Sequence, residues 1–346
     1  MKSINTCLWI LLAIAGTMFF AGCPGLTDGP EPSAPAHVWT QWNTSGVRPD
    51  ARFMHAMDWA GGTKMILFGG STNAGDSDET WEYDVSTHAW TQYNVTGTKP
   101  AARYDHAMAY AGGSKMILFG GAGPRYDTWE YDAATHTWTE YVFTGIGAKP
   151  AGRYEHAMAW AGGSKVILFG GSAYGGTQND TWLYDASAHA WTEVVIAGSK
   201  PDARRVHALA YGGDGKVVLF GGYVYGSEQM NDTWEFDVHA LTWTKITVTG
   251  AQPAPRQEHG MAWAGGRKIL LYGGRDGTYV PVDPDWEYDL VTQAWTRFNI
   301  GGTTPYQRRE HSLAYAGGSS VMVFGGMSDD GLGHIYDETW ECRITE

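Results

Sequence analysis

Arginine and histidine recur along this chain at one fixed spacing, often with a carboxylate between them. The pairs are Arg52/His55, Arg103/His106, Arg153/His156, Arg204/His207, Arg256/His259 and Arg308/His311. Two residues after each arginine stand Met54, Asp105, Glu155, Val206, Glu258 and Glu310. In an extended strand, side chains two apart share a face. The spacing therefore predicts four same-face pairs: Arg103 with Asp105, Arg153 with Glu155, Arg256 with Glu258, and Arg308 with Glu310. Such pairs can do two things. They can tie neighbouring segments together as a belt, which is the preferred reading, or they can present acids and bases to a ligand. Of the twelve histidines, six belong to this signal and four (His88, His136, His189, His239) to a second recurring turn. Copies that recur once per unit are held apart, so no zinc set is expected. His37 and His334 alone fall outside the pattern. Acids cluster at Asp76, Asp78 and Glu79 and at Asp283 and Asp285, without the spacing of a calcium loop. Neither a metal nor a cofactor is expected.

What positions these residues is a repeat. The string Leu-Phe-Gly-Gly or a close variant ends at Gly70, Gly121, Gly171, Gly222, Gly274 and Gly326, at intervals of 50 to 52 residues. Trp-x-Tyr/Phe-Asp keeps the same beat at Trp81, Trp129, Trp182, Trp234 and Trp286, becoming Trp-Glu-Cys at Trp340. Trp-Thr follows at Trp90, Trp138, Trp191, Trp243 and Trp295. Each unit reads as four short strands; in the second these are Tyr104–Ala111, Lys115–Phe119, Thr128–Asp132 and Thr137–Val142. No stretch carries helical periodicity. A unit that cannot bury its own faces must stack on its neighbours.

Six in-phase copies of paired glycines followed by spaced tyrosine and tryptophan resemble the kelch repeat, over nearly all of residues 37–346. The resemblance implies an all-β, six-bladed kelch-type β-propeller with four antiparallel strands per blade. The ends predict how it closes. His37–Asn43 matches a fourth strand (compare Ala89–Asn94), and Thr339–Ile344 a third. The N-terminal strand is therefore expected to complete the last blade. The Gly-Gly-to-Trp loops vary, with 10, 7, 10, 11, 11 and 13 intervening residues, whereas the opposite turns barely change. Function on a rigid scaffold gathers in variable loops. Candidate ligand contacts there are Tyr126, Tyr174, Tyr225, Tyr279 and His334, beside the Arg–carboxylate positions named above. The pre-Trp acids Asp127, Asp180, Asp232 and Glu338 read as turn residues.

The net charge is −13 with no basic run, which argues against a nucleic-acid partner. Three cysteines, Cys7, Cys23 and Cys342, make no disulfide framework. Lys2 followed by the apolar run Leu8–Phe20 and then Ala21-Gly22-Cys23 reads as an export signal. The last residues resemble a bacterial lipobox, which implies lipidation at Cys23. Residues 1–22 are thus expected to be a lipoprotein signal peptide, 23–36 a proline-rich tether and 37–346 the propeller. The location expected is the cell envelope, on the outer membrane in a Gram-negative cell. The functional expectation is a monomeric binding or scaffold module for a protein or glycan. The alternative is a sugar-acting enzyme similar to the six-bladed sialic-acid mutarotases, with Glu155, Glu258 or Glu310 as acid or base. The copper site of galactose oxidase finds no match here.

Overall fold

The computed structural model describes residues 37–42, 46–95, 97–123, 125–145, 148–227, 229–277, 285–298, 302–328 and 332–344. Among these there is no helix, and six four-stranded antiparallel sheets, one per repeat, carry the fold. In blade 2 the strands are Ala107–Tyr110, Lys115–Phe119, Thr128–Asp132 and Thr137–Tyr141. The first strand starts later than the expected Tyr104, because Asp105 has a positive φ of 56° and ends the extended run. In blade 6 the order is Ser312–Gly317, Ser320–Phe324, Thr339–Ile344 and then the N-terminal strand His37–Trp42. That last pairing runs from His37 opposite Ile344 to Trp42 opposite Thr339, as the matching ends predict.

Burial explains the sequence pattern. Second strands such as Lys115–Phe119 are buried on both faces, so they read as continuous apolar runs. Ile117 and Phe119 pack with Met158, Val166 and Leu168 of blade 3. Met116 and Leu118 pack with Ala56, Ile66 and Phe68 of blade 1. Every apolar cluster spans two neighbouring blades in this way, and Met57, Met65 and Leu67 of blade 1 pack with Ala314, Met322 and Phe324 of blade 6. Each fourth-strand tryptophan also donates its indole N–H to the preceding blade: Trp138 to Thr80, Trp191 to Thr128, Trp243 to Thr181, Trp295 to Thr233 and Trp90 to Thr339. In the sixth case Trp39 donates to Asp285, which stands where the others have threonine.

The paired glycines are required by close approach. Gly170 has φ +67°, and a methyl group there would sit 2.6 Å from the carbonyl oxygen of Arg204 in the next blade. Gly171 N–H donates to that same carbonyl at 2.9 Å. The variable loops add structure that the repeat pattern does not announce. In blades 1 and 3 they fold into small hairpins, Ser71–Thr72 with Gly75–Asp76 and Ser172–Ala173 with Gly176–Thr177. Each pairs with the segment entering its blade, Arg52–Phe53 or Arg153–Tyr154. These are the two loops of ten residues, and the described residues of the seven-residue loop of blade 2 form no hairpin.

Candidate functional site

The first strands surround a channel. On the face of the variable loops its mouth is lined by Met54, Asp105, Glu155, Val206, Glu258 and Glu310, with the six Arg-x-x-His histidines behind them, around a cavity of about 140 Å³. All six residues of the first set have φ between 51° and 61°. This left-handed geometry, costly for Val206 above all, lets their backbones bond to one another. Asp105 N–H donates to the Met54 carbonyl, Glu155 to Asp105, Val206 to Glu155, Glu258 to Val206, Glu310 to Glu258, and Met54 back to Glu310, all at 2.9–3.1 Å. The hydrogen bonds form a circuit that passes through every blade.

That geometry corrects the expected pairing. Arg103, Arg153, Arg256 and Arg308 do not share a face with the acids two residues on, because the intervening backbone is left-handed and not extended. Their guanidinium groups are fully buried beneath the mouth. Arg103 bonds Asp127, Arg153 bonds Asp180, Arg204 bonds Asp232 and Arg308 bonds Glu338. The pre-Trp acids are therefore half-buried ion-pair partners of buried arginines, not simple turn residues. Each guanidinium also donates to the first glycine carbonyl of its own blade, as Arg204 does to Gly221 at 2.9 Å. Burial pushes the Asp232 carboxylate up, but the bonds from Arg204 outweigh it and hold the group below its ordinary range.

The histidines are equally structural in setting. Each packs edge-on against an aromatic ring of the neighbouring blade, as His156 does on Phe119. Burial pushes all six pKa values down, so the rings are neutral at pH 7. Among the described residues, no three His, Cys, Asp or Glu side chains converge closely enough to hold a metal ion.

The mouth brings Asp105, Glu155, Glu258 and Glu310 together and supplies three arginines, two of which, Arg205 and Arg309, sequence reasoning missed. Arg205 bonds Glu155 across a blade boundary at 2.6 Å. Arg275 grips Glu258 with two nitrogens, at 2.7 and 2.8 Å. Arg309 reaches Glu310 at 2.7 Å and Glu258 at 3.3 Å. A signal was present. Arg205 and Arg309 occupy the position that holds Phe53, Tyr104, Tyr154 and Gln257 in other copies, so they are departures from the repeat, not part of it.

Asp105 has no hydrogen-bonded side-chain partner in this set. Burial, then Glu155 and Glu258, raise its pKa to about 7. Burial and Glu258 also push Glu310 well up, and burial raises Glu155 against the pull of Arg205. A carboxyl raised in this way binds its proton more tightly folded than unfolded, where it titrates near ~4. Its contribution to stability is full below that value and is lost as pH rises through about 7. Asp105→Asn is therefore expected to flatten the fall in stability between about pH 4 and pH 8. Urea midpoints measured at both ends of that range check it, and an unchanged slope would refute the assignment.

The remaining candidates lie outside the cavity. Tyr126, Tyr174 and Tyr225 project from the loops of blades 2, 3 and 4 at 63%, 92% and 85% exposure. His334 is exposed on the last loop, where its backbone is bonded to Ser328. Tyr279 and Cys23 fall outside the described residues.

Comparison with known proteins adds an independent result. The family model "KLHDC2/KLHL20/DRC7 Kelch-repeats domain" matches residues 33–171 and again 159–346. Human Kelch domain-containing protein 1 is 30% identical over 47% of this chain and 41% of its own length. Bovine Kelch domain-containing protein 3 is 30% identical over 74% of this chain and 56% of its own. Acyl-CoA-binding domain-containing protein 5 of Arabidopsis thaliana is 27% identical over 70% of this chain and 39% of its own. The chain spans about half the length of the curated relatives it matches, or somewhat less.

Proposed function

Because this chain belongs to the kelch-repeat family, we propose that it is a binding module that receives a protein partner on its variable loop face. One observation carries the proposal. Three exposed tyrosines stand on consecutive blades, beside a mouth where a backbone circuit fixes the acids and arginine side chains pair with three of them. Exposed aromatic side chains beside buried, preorganised charges are what a protein interface uses as anchors and rim. The lipobox-like run at Cys23 supports a second part of the proposal, that the module is tethered in the cell envelope. Palmitate labelling that is lost in Cys23→Ala would support this part, and unchanged labelling would remove it.

The test of the binding face is photo-crosslinking in the native host, with a benzoylphenylalanine placed at Tyr174 or Tyr225. A position on the opposite turns, Ser187, serves as control. Discrete protein adducts are expected from the loop face alone, and they should be lost when Tyr126 is also changed to alanine. Equal crosslinking from both faces, or none from the loops, would sink the reading.

A second reading has its own support. Burial raises the carboxyls of Asp105 and Glu310 toward neutral pH in one cavity, the range that acid–base chemistry on a sugar uses. A rise in melting temperature with a free sugar, abolished by Glu310→Gln, would favour a mutarotase-like or glycan-binding role. Silence across a sugar panel would leave the protein partner as the working model.

A further inference from the structure

The other end of the channel differs in kind. The last residue of each first strand, or one near its end, is aromatic, and the types alternate: Trp59, Tyr110, Trp160, Tyr211, Trp263, Tyr315. Consecutive rings touch, with centroids 4.9, 5.4, 4.6, 5.5 and 4.6 Å apart, and Tyr315 meets Trp59 at 5.3 Å. The centre of a regular hexagon lies one side length from each corner. With sides of 4.6–5.5 Å, a group at the middle of this circuit is on the order of 5 Å from the ring centroids, inside the ~6 Å reach of a cation–π contact. The rings are fixed in place. Three indole N–H groups donate to turn carbonyls, Trp59 to Gly62, Trp160 to Gly163 and Trp263 to Gly266, at 2.9–3.0 Å. Tyr110 donates to Gly113 at 3.3 Å.

One carboxylate breaks the sixfold pattern. Asp58 stands where the other blades have Ala109, Ala159, Ala210, Ala262 and Ala314, and it lines the same cavity of about 110 Å³. Its two oxygens each accept one backbone N–H, from Trp59 at 2.8 Å and from Tyr110 at 3.0 Å. Each oxygen keeps acceptor capacity beyond that single bond. The floor is made of apolar side chains, among them Met57, Met108, Met158 and Met261, which are soft and polarisable. Among the described residues, no lysine or arginine lines this cavity beside Asp58. Lys64, Lys115, Lys216 and Lys268 of this face are all engaged by carboxylates of the third strands.

We propose that this aromatic mouth is a binding site for a quaternary ammonium group, with Asp58 as its counter-ion. The walls offer few oxygen ligands, which disfavours a hard metal ion. The pocket is too narrow for a protein element but suits a trimethylammonium head. Free choline and the phosphocholine headgroup of a lipid share this chemistry.

Ligand-observed NMR on the full chain tests the proposal. The choline methyl signal is expected to broaden and move upfield, saturably, in the presence of protein. Its neutral isostere 3,3-dimethylbutanol should bind at least tenfold more weakly. Asp58→Ala, which installs the residue carried by the other five blades, should weaken choline at least tenfold without loss of the folded spectrum. The selectivity of the unaltered protein decides the matter even if that variant does not fold. Absence of saturable choline binding, equal binding of the isostere, or full affinity in folded Asp58→Ala would each overturn the assignment. Binding to phosphatidylcholine vesicles that choline displaces identifies the headgroup as the source. Choline binding without vesicle binding identifies a free solute. Either result keeps the site.

Discussion

Arg204→Ala is expected to lower the free energy of unfolding by about 3–5 kcal/mol, the range for removing one member of a buried ion pair. The guanidinium is fully buried and its hydrogen bonds are spread over three groups: the Asp232 carboxylate, the Gly221 carbonyl and the Asp202 carbonyl. Alanine would leave the carboxylate without its bidentate partner and the glycine carbonyl without a side-chain donor. It would also open space under the channel mouth, so that Val206, two residues on, loses support for its left-handed backbone. Urea unfolding at neutral pH measures the loss. A double variant, Arg204→Met with Asp232→Leu, separates the causes. It removes both charges and should recover a large part of the cost, since apolar replacements for buried pairs are often close to neutral. A loss under about 1 kcal/mol in Arg204→Ala would mean that water can replace the guanidinium, contrary to its complete burial.

The second large effect lies in the N-terminal strand. Trp39 is buried in the cluster that joins blades 5 and 6. Its indole N–H donates to Asp285 at 2.8 Å. Burial raises that carboxyl to about 7, while the bond from Trp39 opposes the rise. Trp39→Ala is expected to cost about 3–5 kcal/mol from lost packing. Trp39→Phe keeps most of the packing and removes the donor, so it should cost about 1–3 kcal/mol. If Asp285 is the partner that matters, changing it to threonine in the Trp39→Phe background should cost little more. Thermal and urea unfolding of the three variants give the comparison. Equal stability of Trp39→Phe and the unaltered protein would show that the hydrogen bond contributes nothing.

The scaffold was legible because the repeat is written in residues with few structural options. Paired glycines read as a close backbone approach, and Gly170 against the Arg204 carbonyl is such an approach. The matching ends read as a shared blade, and His37–Trp42 lies beside Thr339–Ile344. The site was harder to read. Alternation placed Arg153 with Glu155, but that rule assumes an extended backbone, and Glu155 at φ 55° is not extended. No residue type announces this. Asp, Glu, Met and Val all occupy the position, so the left-handed turn is imposed by neighbouring blades and not by local preference. Likewise Asp180 looked like a turn residue because its partner Arg153 lies 27 positions earlier, within the same blade but across two strands. Arg205 and Arg309 were hidden for the opposite reason. They do not recur, and a search for what repeats passes over what does not.

The pairing of His37–Trp42 with Thr339–Ile344 also governs how the molecule can be made. Nearly the whole chain separates the two strands, so this is the least local contact of the fold and the slowest class of contact to form. Until the C-terminal strand exists, the first one has a bare edge and no legitimate neighbour. Third strands elsewhere are close copies of Thr339–Ile344, such as Thr128–Asp132. The strand is therefore also the segment most easily exchanged between two chains, each completing the other's last blade. Refolding at high concentration is the condition that would trap such exchanged pairs. The unique Trp39–Asp285 bond, in a series that otherwise uses threonine, gives the strand a mark by which the correct gap differs from its near copies.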